Sequence, residues 1–172
     1  PDILDHMTIL KLIPPHIRKR FTKRAKNVLE KCEETAKSHP LHSKERIYVD
    51  ALHLFYALFN EKGSMAHNII TSHQINEEEI LRALEDLKYT LRIKPDLVNE
   101  VFQPLSRVKE TMFISGALKE CFKKAAVLAT NHNHSLLGTE HLLWGLLDEP
   151  MLTLEQDKLQ EMRNHLKELL KS

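Results

Sequence analysis

The feature that most constrains the fold of this chain is an internal repeat of a helical apolar pattern. Small or apolar side chains recur at i, i+3, i+4, i+7 and i+11 from Ala25 to Ala36, which places them on one stripe of an α-helix. The same stripe recurs from Leu118 to Ala129, at an offset of 93 residues. The two halves of the chain are therefore predicted to contain copies of one helical unit.

A second pair of segments supports the same alignment of the halves. Residues 53–58 read His-Leu-Phe-Tyr-Ala-Leu and residues 141–146 read His-Leu-Leu-Trp-Gly-Leu, at an offset of 88. The two offsets differ by five, which a single five-residue insertion in the first half explains, most simply within residues 42–46. Both matches then belong to one alignment, so the duplication extends over two consecutive helices.

The spacing of apolar residues predicts an all-α fold of two pseudo-repeated four-helix bundles, because strict alternation is scarce and only 4 glycines are present. In the first half it predicts a helix over residues 22–38, a second from the cap Asp50 to Gly63, a short third over 65–72 and a fourth after Asn76. The residues expected in the two separate cores are Ala25, Val28, Leu29 and Cys32 in the first, and Leu118, Cys121, Phe122 and Ala125 in the second.

The chain is predicted to divide into four parts: an N-terminal extension over residues 1–20, a first repeat over 21–90, a connector over 91–113 and a second repeat over 114–172. The connector contains Pro95 and Pro104 and has no sustained period, so it is expected to lie over the surface. After Leu147 the second repeat is shorter than the first. The short third helix of the second bundle is therefore expected to be lost or reduced to a turn.

Composition excludes several classes of protein. With 25 Lys and Arg against 24 Asp and Glu, the chain has no overall charge strong enough to indicate nucleic acid or an anionic membrane as partner. No apolar run approaches the roughly 18 to 20 residues that cross a bilayer. The two cysteines, Cys32 and Cys121, are expected to be reduced core thiols of a cytoplasmic protein, with the plastid stroma as the alternative location.

No catalytic, cofactor or metal site is predicted, so the chain is not expected to be an enzyme. The four glycines cannot form the phosphate-binding loop of an ATPase, and the sequence has no nucleophile turn and no His-Glu-x-x-His helix. His132 and His134 fit an inter-helix loop better than a metal site. His53 and His141 begin the two second helices, where the helix dipole disfavours a positive ring, so neutral, hydrogen-bonded rings are expected.

Two stretches of the sequence resemble signature stretches of the Clp N-terminal domain. Residues 21–25 read Phe-Thr-Lys-Arg-Ala at the start of a long helix, and residues 138–147 read Gly-Thr-Glu-His-Leu-Leu-Trp-Gly-Leu-Leu. The resemblance implies the paired four-helix module that lies in front of the ATPase rings of Clp-type unfoldases. It implies a non-enzymatic module that docks protein substrates or adaptors, with a Clp-type ATPase ring as its partner in cis or in trans.

The resemblance also implies a ligand site. In some members of the family, the Glu of the second stretch and a hydroxyl at the start of the preceding helix are implicated in recognising phosphorylated arginine. The corresponding residues are Glu140 and Ser115; in the alternative, Thr139 caps the helix and Glu140 only stabilises its first turn. The first half keeps Thr22 but has Leu52 in place of the carboxylate, so one site, in the second half, is expected.

A basic run over residues 18–26 is the basis of an alternative function. It carries six positive charges and no acid, and its charged members are Arg18, Lys19, Arg20, Lys23, Arg24 and Lys26. Such a patch suits phosphates or an acidic protein surface. The alternative is therefore a stand-alone regulatory or nucleic-acid-associated helical protein, although Phe21 is the only residue of the run that could stack on a base.

Overall fold

Helices account for most of the fold, and short strands join the two halves of the chain. The computed structural model describes residues 9–10, 13–43, 45–104, 112–148 and 154–171. The helices are α1 (Pro15–Arg18), α2 (Lys23–Ser38), α3 (Ala51–Asn60), α4 (Met65–Ser72), α5 (Glu77–Ile93), α6 (Asp96–Val101), α7 (Gly116–Asn131), α8 (Thr139–Leu147) and α9 (Gln156–Leu170). The strands are β1 (Ile47–Val49), β2 (Phe102–Pro104) and β3 (Met112–Ser115). The all-α class and the four predicted helices of the first half are confirmed.

Side-chain caps fix where the repeated helices begin. At the start of α2, Thr22 Oγ1 accepts a hydrogen bond from the Ala25 amide at 3.1 Å. At the start of α7, Ser115 Oγ accepts one from the Leu118 amide at 3.2 Å. Each oxygen satisfies an amide that has no partner within its own helix. Thr22 and Ser115 are equivalent under the offset of 93, so the repeat extends to the caps.

A three-stranded sheet has the order β1–β3–β2, with β1 parallel and β2 antiparallel to β3. Most of the described residues in the range 91–113 are exposed, but the range is anchored in the core and is partly regular, which the sequence did not predict. Leu91, Val98 and Phe102 are buried, and α6 and β2 are regular elements. Strands of three or four residues are too short for their alternation to be recognised in a sequence. The limits of the four predicted parts of the chain stay predictions.

The strand pairing follows the pseudo-symmetry of the repeat. Val49 before α3 pairs with Ile114 before α7, and an isolated parallel bridge joins Phe21 before α2 to Leu137 before α8. Adding the offset of 93 to Phe21 gives Ile114, and subtracting 88 from Leu137 gives Val49. The two pairings are therefore one interaction repeated, and each joins the first helix of one repeat to the second helix of the other.

The apolar stripes of both halves meet in one continuous core. Every core residue named from the sequence is buried: Ala25, Val28, Leu29, Cys32, Leu118, Cys121, Phe122 and Ala125. The expectation of two separate cores is wrong, because α8 packs against α2, α3 and α4 of the first repeat as well as against α7. The two repeats thus bury their apolar faces against each other.

The second repeat contains α7, α8 and α9 in the described part of the chain. The five residues between Asp148 and Leu154, where a reduced third helix was expected, lie outside the described residues. The helix expected after them is confirmed as α9, with Leu159, Met162 and Leu166 buried.

Part of the predicted N-terminal extension belongs to the core. Ile9, Leu10 and Ile13 are at most 2% exposed. The Ile9 amide donates a hydrogen bond to the carboxylate of Glu33 on α2. Burial raises the pKa of Glu33, and the bond from Ile9 opposes that rise.

Among the described helices, none is both long and apolar enough to cross a membrane.

Candidate functional site

The start of α8 carries a carboxylate that is accessible from the surface. Gly138 is the N-cap of α8, and the side chain of Glu140 folds back over it. A Cβ atom at Gly138 would lie 2.5 Å from Glu140 Oε1, so a side chain at that position would displace the carboxylate. The side chain of Glu140 is 21% exposed. The carboxylate therefore lies at the positive end of a helix dipole and still reaches solvent.

The first repeat places its carboxylate two positions earlier and buries it. Under the offset of 88, Asp50 is equivalent to Gly138, and Leu52 is equivalent to Glu140. Asp50 Oδ2 accepts a hydrogen bond from the Leu52 amide at 3.1 Å, and both residues are 0% exposed. Burial raises the pKa of Asp50, while hydrogen bonds from the Leu52 amide and the Ser115 hydroxyl lower it. Both repeats thus have a carboxylate at this helix start, but that of Asp50 is out of reach of a ligand.

Neutral histidines complete both helix starts, as expected from the sequence. His53 Nδ1 accepts a hydrogen bond from the Asp50 amide at 3.0 Å, and His141 Nδ1 accepts one from the Gly138 amide at 2.9 Å. A neutral ring that accepts at Nδ1 carries its proton on Nε2. In His53 that Nε2–H donates to the carbonyl oxygen of His39 at 3.1 Å. Burial lowers the pKa of His53 to about 4.

The ring of His141 is linked to Glu140 and to the loop before α8. Its Nε2 is 2.9 Å from Nδ1 of His134, and its Nδ1 is 3.3 Å from Glu140 Oε1. Burial lowers the pKa of His141, the Glu140 carboxylate opposes this, and the nearby His134 and Arg20 lower it further. A neutral His141 therefore leaves the charge of Glu140 uncompensated by its nearest ring.

The hydroxyl residues predicted for the site divide into one accessible and two internal positions. Thr22 is half-buried, and its amide donates to the Leu137 carbonyl oxygen at 2.9 Å, two residues before Thr139. Ser115 is 0% exposed and lies beside Asp50. Thr139 is 3% exposed. The strand pairings therefore bring Thr22, rather than Ser115, next to the segment that carries Glu140.

The expectation that Thr139 caps its own helix is wrong. Thr139 is the first residue of α8, and Gly138 is the cap. Thr139 Oγ1 instead accepts a hydrogen bond from the Ala66 amide at 3.3 Å, in the first turn of α4. The hydroxyl thus satisfies a helix start in the first repeat, a partner that is 73 residues away in sequence and gives no local signal.

Arginines of the basic run donate hydrogen bonds to neighbouring segments of the chain. Arg18 donates to the Ile13 carbonyl oxygen at 3.2 Å, and Arg24 donates to that of Lys62 at 2.9 Å. Arg20 donates to the carbonyl oxygens of His134 and Ser135 and to Thr130 Oγ1, all in or next to the loop between α7 and α8. Lys19 and Lys23 are exposed, and Lys26 is half-buried. The run thus has a structural role that its charge alone does not predict.

The histidines of the loop between α7 and α8 lie close together. The rings of His132 and His134 stack with centroids 5.7 Å apart, although two-residue spacing would separate them in a straight segment. Asn133 between them has a φ of 57°, which bends the loop. In the described part of the chain, no group of three or more His, Cys, Asp or Glu side chains is arranged so that it could hold a metal ion.

Comparison with known proteins gives a family match and several similar folds. The profile of the Clp repeat (R) N-terminal domain matches residues 20–112, more than half of the chain. Comparison with curated protein sequences gave no match.

Three solved structures illustrate the likeness. The N-terminal domain of the caseinolytic protease associated chaperone ClpD from Arabidopsis thaliana has a TM-score of 0.55 and 18% identity, over 90% of this chain and 96% of that one. The Hsp104 N-terminal domain from Candida albicans has a TM-score of 0.57 and 15% identity, over 87% and 90%. The N-terminal domain of the ClpV1 ATPase from E. coli has a TM-score of 0.52 and 16% identity, over 96% and 94%. At these identities the likeness concerns the fold alone.

Proposed function

Because the chain belongs to the Clp N-terminal domain family, we propose that it is a protein-recognition module that docks substrates or adaptors for a Clp-type unfoldase. Its fold, which resembles the N-terminal domains of ClpD and Hsp104, supports this proposal. The ATPase ring acts in cis or in trans, in the cytoplasm or the plastid stroma. The module contributes binding, and the ring contributes ATP hydrolysis.

The observation that carries the proposal is the accessible carboxylate of Glu140 at the start of α8, a helix whose preceding segment pairs with the backbone of Thr22. Glu140 lies at the start of α8, and Thr22 caps α2 and pairs with the strand segment before α8. A carboxylate can accept two parallel N–H bonds from a guanidinium group. The amides of a helix N-terminus attract a phosphate group. Together these groups suit phosphorylated arginine on a marked protein.

The two repeats are unequal in this role. The carboxylate of Asp50 in the first repeat is fully buried, and Leu52 at the position of Glu140 cannot accept a hydrogen bond from a cation. The hydroxyls of Ser115 and Thr139 are internal and accept hydrogen bonds from amides in the first turns of α7 and α4, respectively. We assign one ligand site per chain, at Glu140 and Thr22.

The test uses fluorescently labelled casein whose arginine side chains have been phosphorylated by a protein-arginine kinase, with unphosphorylated casein for comparison. Fluorescence anisotropy gives the affinity for the wild type, for Glu140→Gln and for the control Glu168→Gln, whose side chain is 73% exposed on α9. The wild type and the control should bind phosphorylated casein. Glu140→Gln should bind it about tenfold or more weakly, because a charge-assisted contact is lost.

The possible outcomes test the docking function and the assignment of Glu140 separately. If the wild type binds neither form of casein, the docking function is wrong. If Glu140→Gln binds phosphorylated casein as tightly as the wild type, docking stands and the assignment of Glu140 is wrong.

A further inference from the structure

A recessed surface lies between α1 and α7, and the function proposed above does not use it. The recess has a volume of about 240 Å³. Its described lining consists of Ile13, Pro14, Ile17, Phe122, Lys119 and Lys123. Pockets for whole small molecules usually measure about 300 to 1,000 Å³, so this recess suits a single bulky side chain better than a cofactor.

The walls of the recess are anchored in the core. Ile13 is 2% exposed and Phe122 is 7% exposed, so both present only an edge to the recess. The guanidinium group of Arg18 donates to the Ile13 carbonyl oxygen and ties α1 to the segment before it. A recess with anchored walls binds without first having to order them, which lowers the entropic cost of binding.

The rim of the recess is basic. Lys119 and Lys123 are one turn apart on α7, and both line the recess together with Phe122. Their contacts within the chain are weak, because Lys119 Nζ meets the neutral Gln103 side chain at 3.3 Å and Lys123 Nζ meets the exposed Glu120 at 3.3 Å. The described lining contains no acidic residue. An anionic group next to an apolar one therefore complements this surface.

We propose that the recess binds a bulky apolar side chain of a peptide segment whose neighbouring residues are Asp or Glu. The apolar side chain fills the space between Ile17 and Phe122, and the carboxylates pair with Lys119 and Lys123. This inference rests on the proposed protein-recognition function and names a partner chemistry distinct from the guanidinium at Glu140. A nucleic acid fits less well, because Phe122 is buried too far to offer a face for base stacking.

The experiment measures the anisotropy of a fluorescein-labelled peptide, Ser-Asp-Glu-Phe-Leu-Glu-Asp-Ser, titrated with the intact chain. Two further peptides replace Phe-Leu by Ser-Ser or every acidic residue by Lys. The protein variants are Lys119→Glu with Lys123→Glu, and the control Lys167→Glu with Lys171→Glu. The control pair is also spaced i, i+4, and Lys171 pairs with the exposed Glu168 as Lys123 pairs with Glu120.

The acidic apolar peptide should bind the wild type and the control pair alike. Reversing both lysines of the rim should weaken binding about tenfold, since two attractions become repulsions. The wild type should bind the Ser-Ser and Lys peptides no more tightly than the rim variant binds the acidic apolar peptide. The affinity should fall as the salt concentration rises, because the rim charges are exposed.

Several results would overturn the proposal. They are an unchanged affinity in the rim variant, equal binding of the Lys peptide, and tighter binding of a single-stranded oligonucleotide than of the acidic peptide. Phosphorylated casein is titrated into the same samples. If casein binds and the acidic peptide does not, only the recess proposal fails; if neither binds, both proposals fail.

Discussion

Replacing Gly145 by Ala should destabilise the protein, although alanine favours helices. Gly145 lies on α8 where this helix crosses α7. A Cβ atom at Gly145 would lie 2.4 Å from the backbone oxygen of Cys121 and 3.0 Å from its Sγ atom. The oxygen is held by its helix and cannot rotate away. The two helices must therefore separate by about 1 Å to restore ordinary contact.

The size of the effect follows from two opposing terms. Overpacking a well-packed interior costs about 1 to 3 kcal/mol, and a clash with backbone belongs near the upper end. Replacing glycine by alanine inside a helix returns about 1 kcal/mol. The expected net loss of stability is about 2 kcal/mol. Gly116→Ala is the matched control, because a Cβ atom there meets nothing within 4 Å, and this variant should be neutral or stabilised by up to about 1 kcal/mol.

Urea denaturation followed by far-ultraviolet circular dichroism measures both variants. The midpoint should fall for Gly145→Ala and should stay or rise for Gly116→Ala. If Gly145→Ala is as stable as the wild type, the close crossing of α7 and α8 is wrong, and with it the packing that positions the start of α8.

Three further predictions concern the core, the helix starts and the basic run. Leu29→Ala should cost about 2 to 5 kcal/mol, because Leu29 is 1% exposed, and unchanged stability would mean that its stripe faces solvent. The pKa of His53 is lowered to about 4 in the folded protein, whereas an unfolded histidine has a pKa of about 6.5. The stability that the neutral His53 contributes is therefore fully present above about pH 6.5 and is lost as the pH falls towards 4. In urea denaturation, the stability advantage of the wild type over His53→Asn should therefore shrink by about 2 kcal/mol from pH 7 to pH 5. The buried Asp50 and Glu33 have raised pKa values and change stability with pH in the opposite direction, but they are present in both proteins and cancel in the comparison. A difference that stays constant with pH would contradict this prediction. Arg20→Met keeps the aliphatic stem but loses three hydrogen bonds, so stability should fall by about 1 to 2 kcal/mol and hydrogen exchange in the loop between α7 and α8 should accelerate; unchanged exchange would contradict that role.

The repeat in the sequence predicts much of the fold, because it is carried by buried residues. The stripes that begin at Ala25 and Leu118 are core stripes, and the cap positions are equivalent. The same offsets relate the bridge of Phe21 to the pairing of Ile114. The strands themselves could not be predicted, since three residues carry no detectable period and their pairing depends on contacts between the halves.

The candidate site could be predicted only in part, because an alignment of repeats gives equivalent residues and not neighbours. It identified Ser115 as the equivalent of Thr22, but the repeats pair crosswise, so Thr22 is the hydroxyl residue next to the start of α8. The sequence of the first repeat does indicate where its carboxylate lies. Residues 50–52 read Asp-x-Leu where residues 138–140 read Gly-x-Glu, so the carboxylate has moved by two positions rather than been lost. Its complete burial depends on tertiary packing.

The most direct test of a single recognition site at Glu140 is titration calorimetry of the chain with free phosphoarginine. We expect one site per chain for the wild type and for the control Glu168→Gln. We expect Glu140→Ala to bind about tenfold or more weakly, because a charge-assisted contact is lost while the buried Asp50 cannot replace it. A single recognition site at Glu140 would be contradicted by two equivalent sites per chain, by undiminished binding of Glu140→Ala, or by no binding of the wild type.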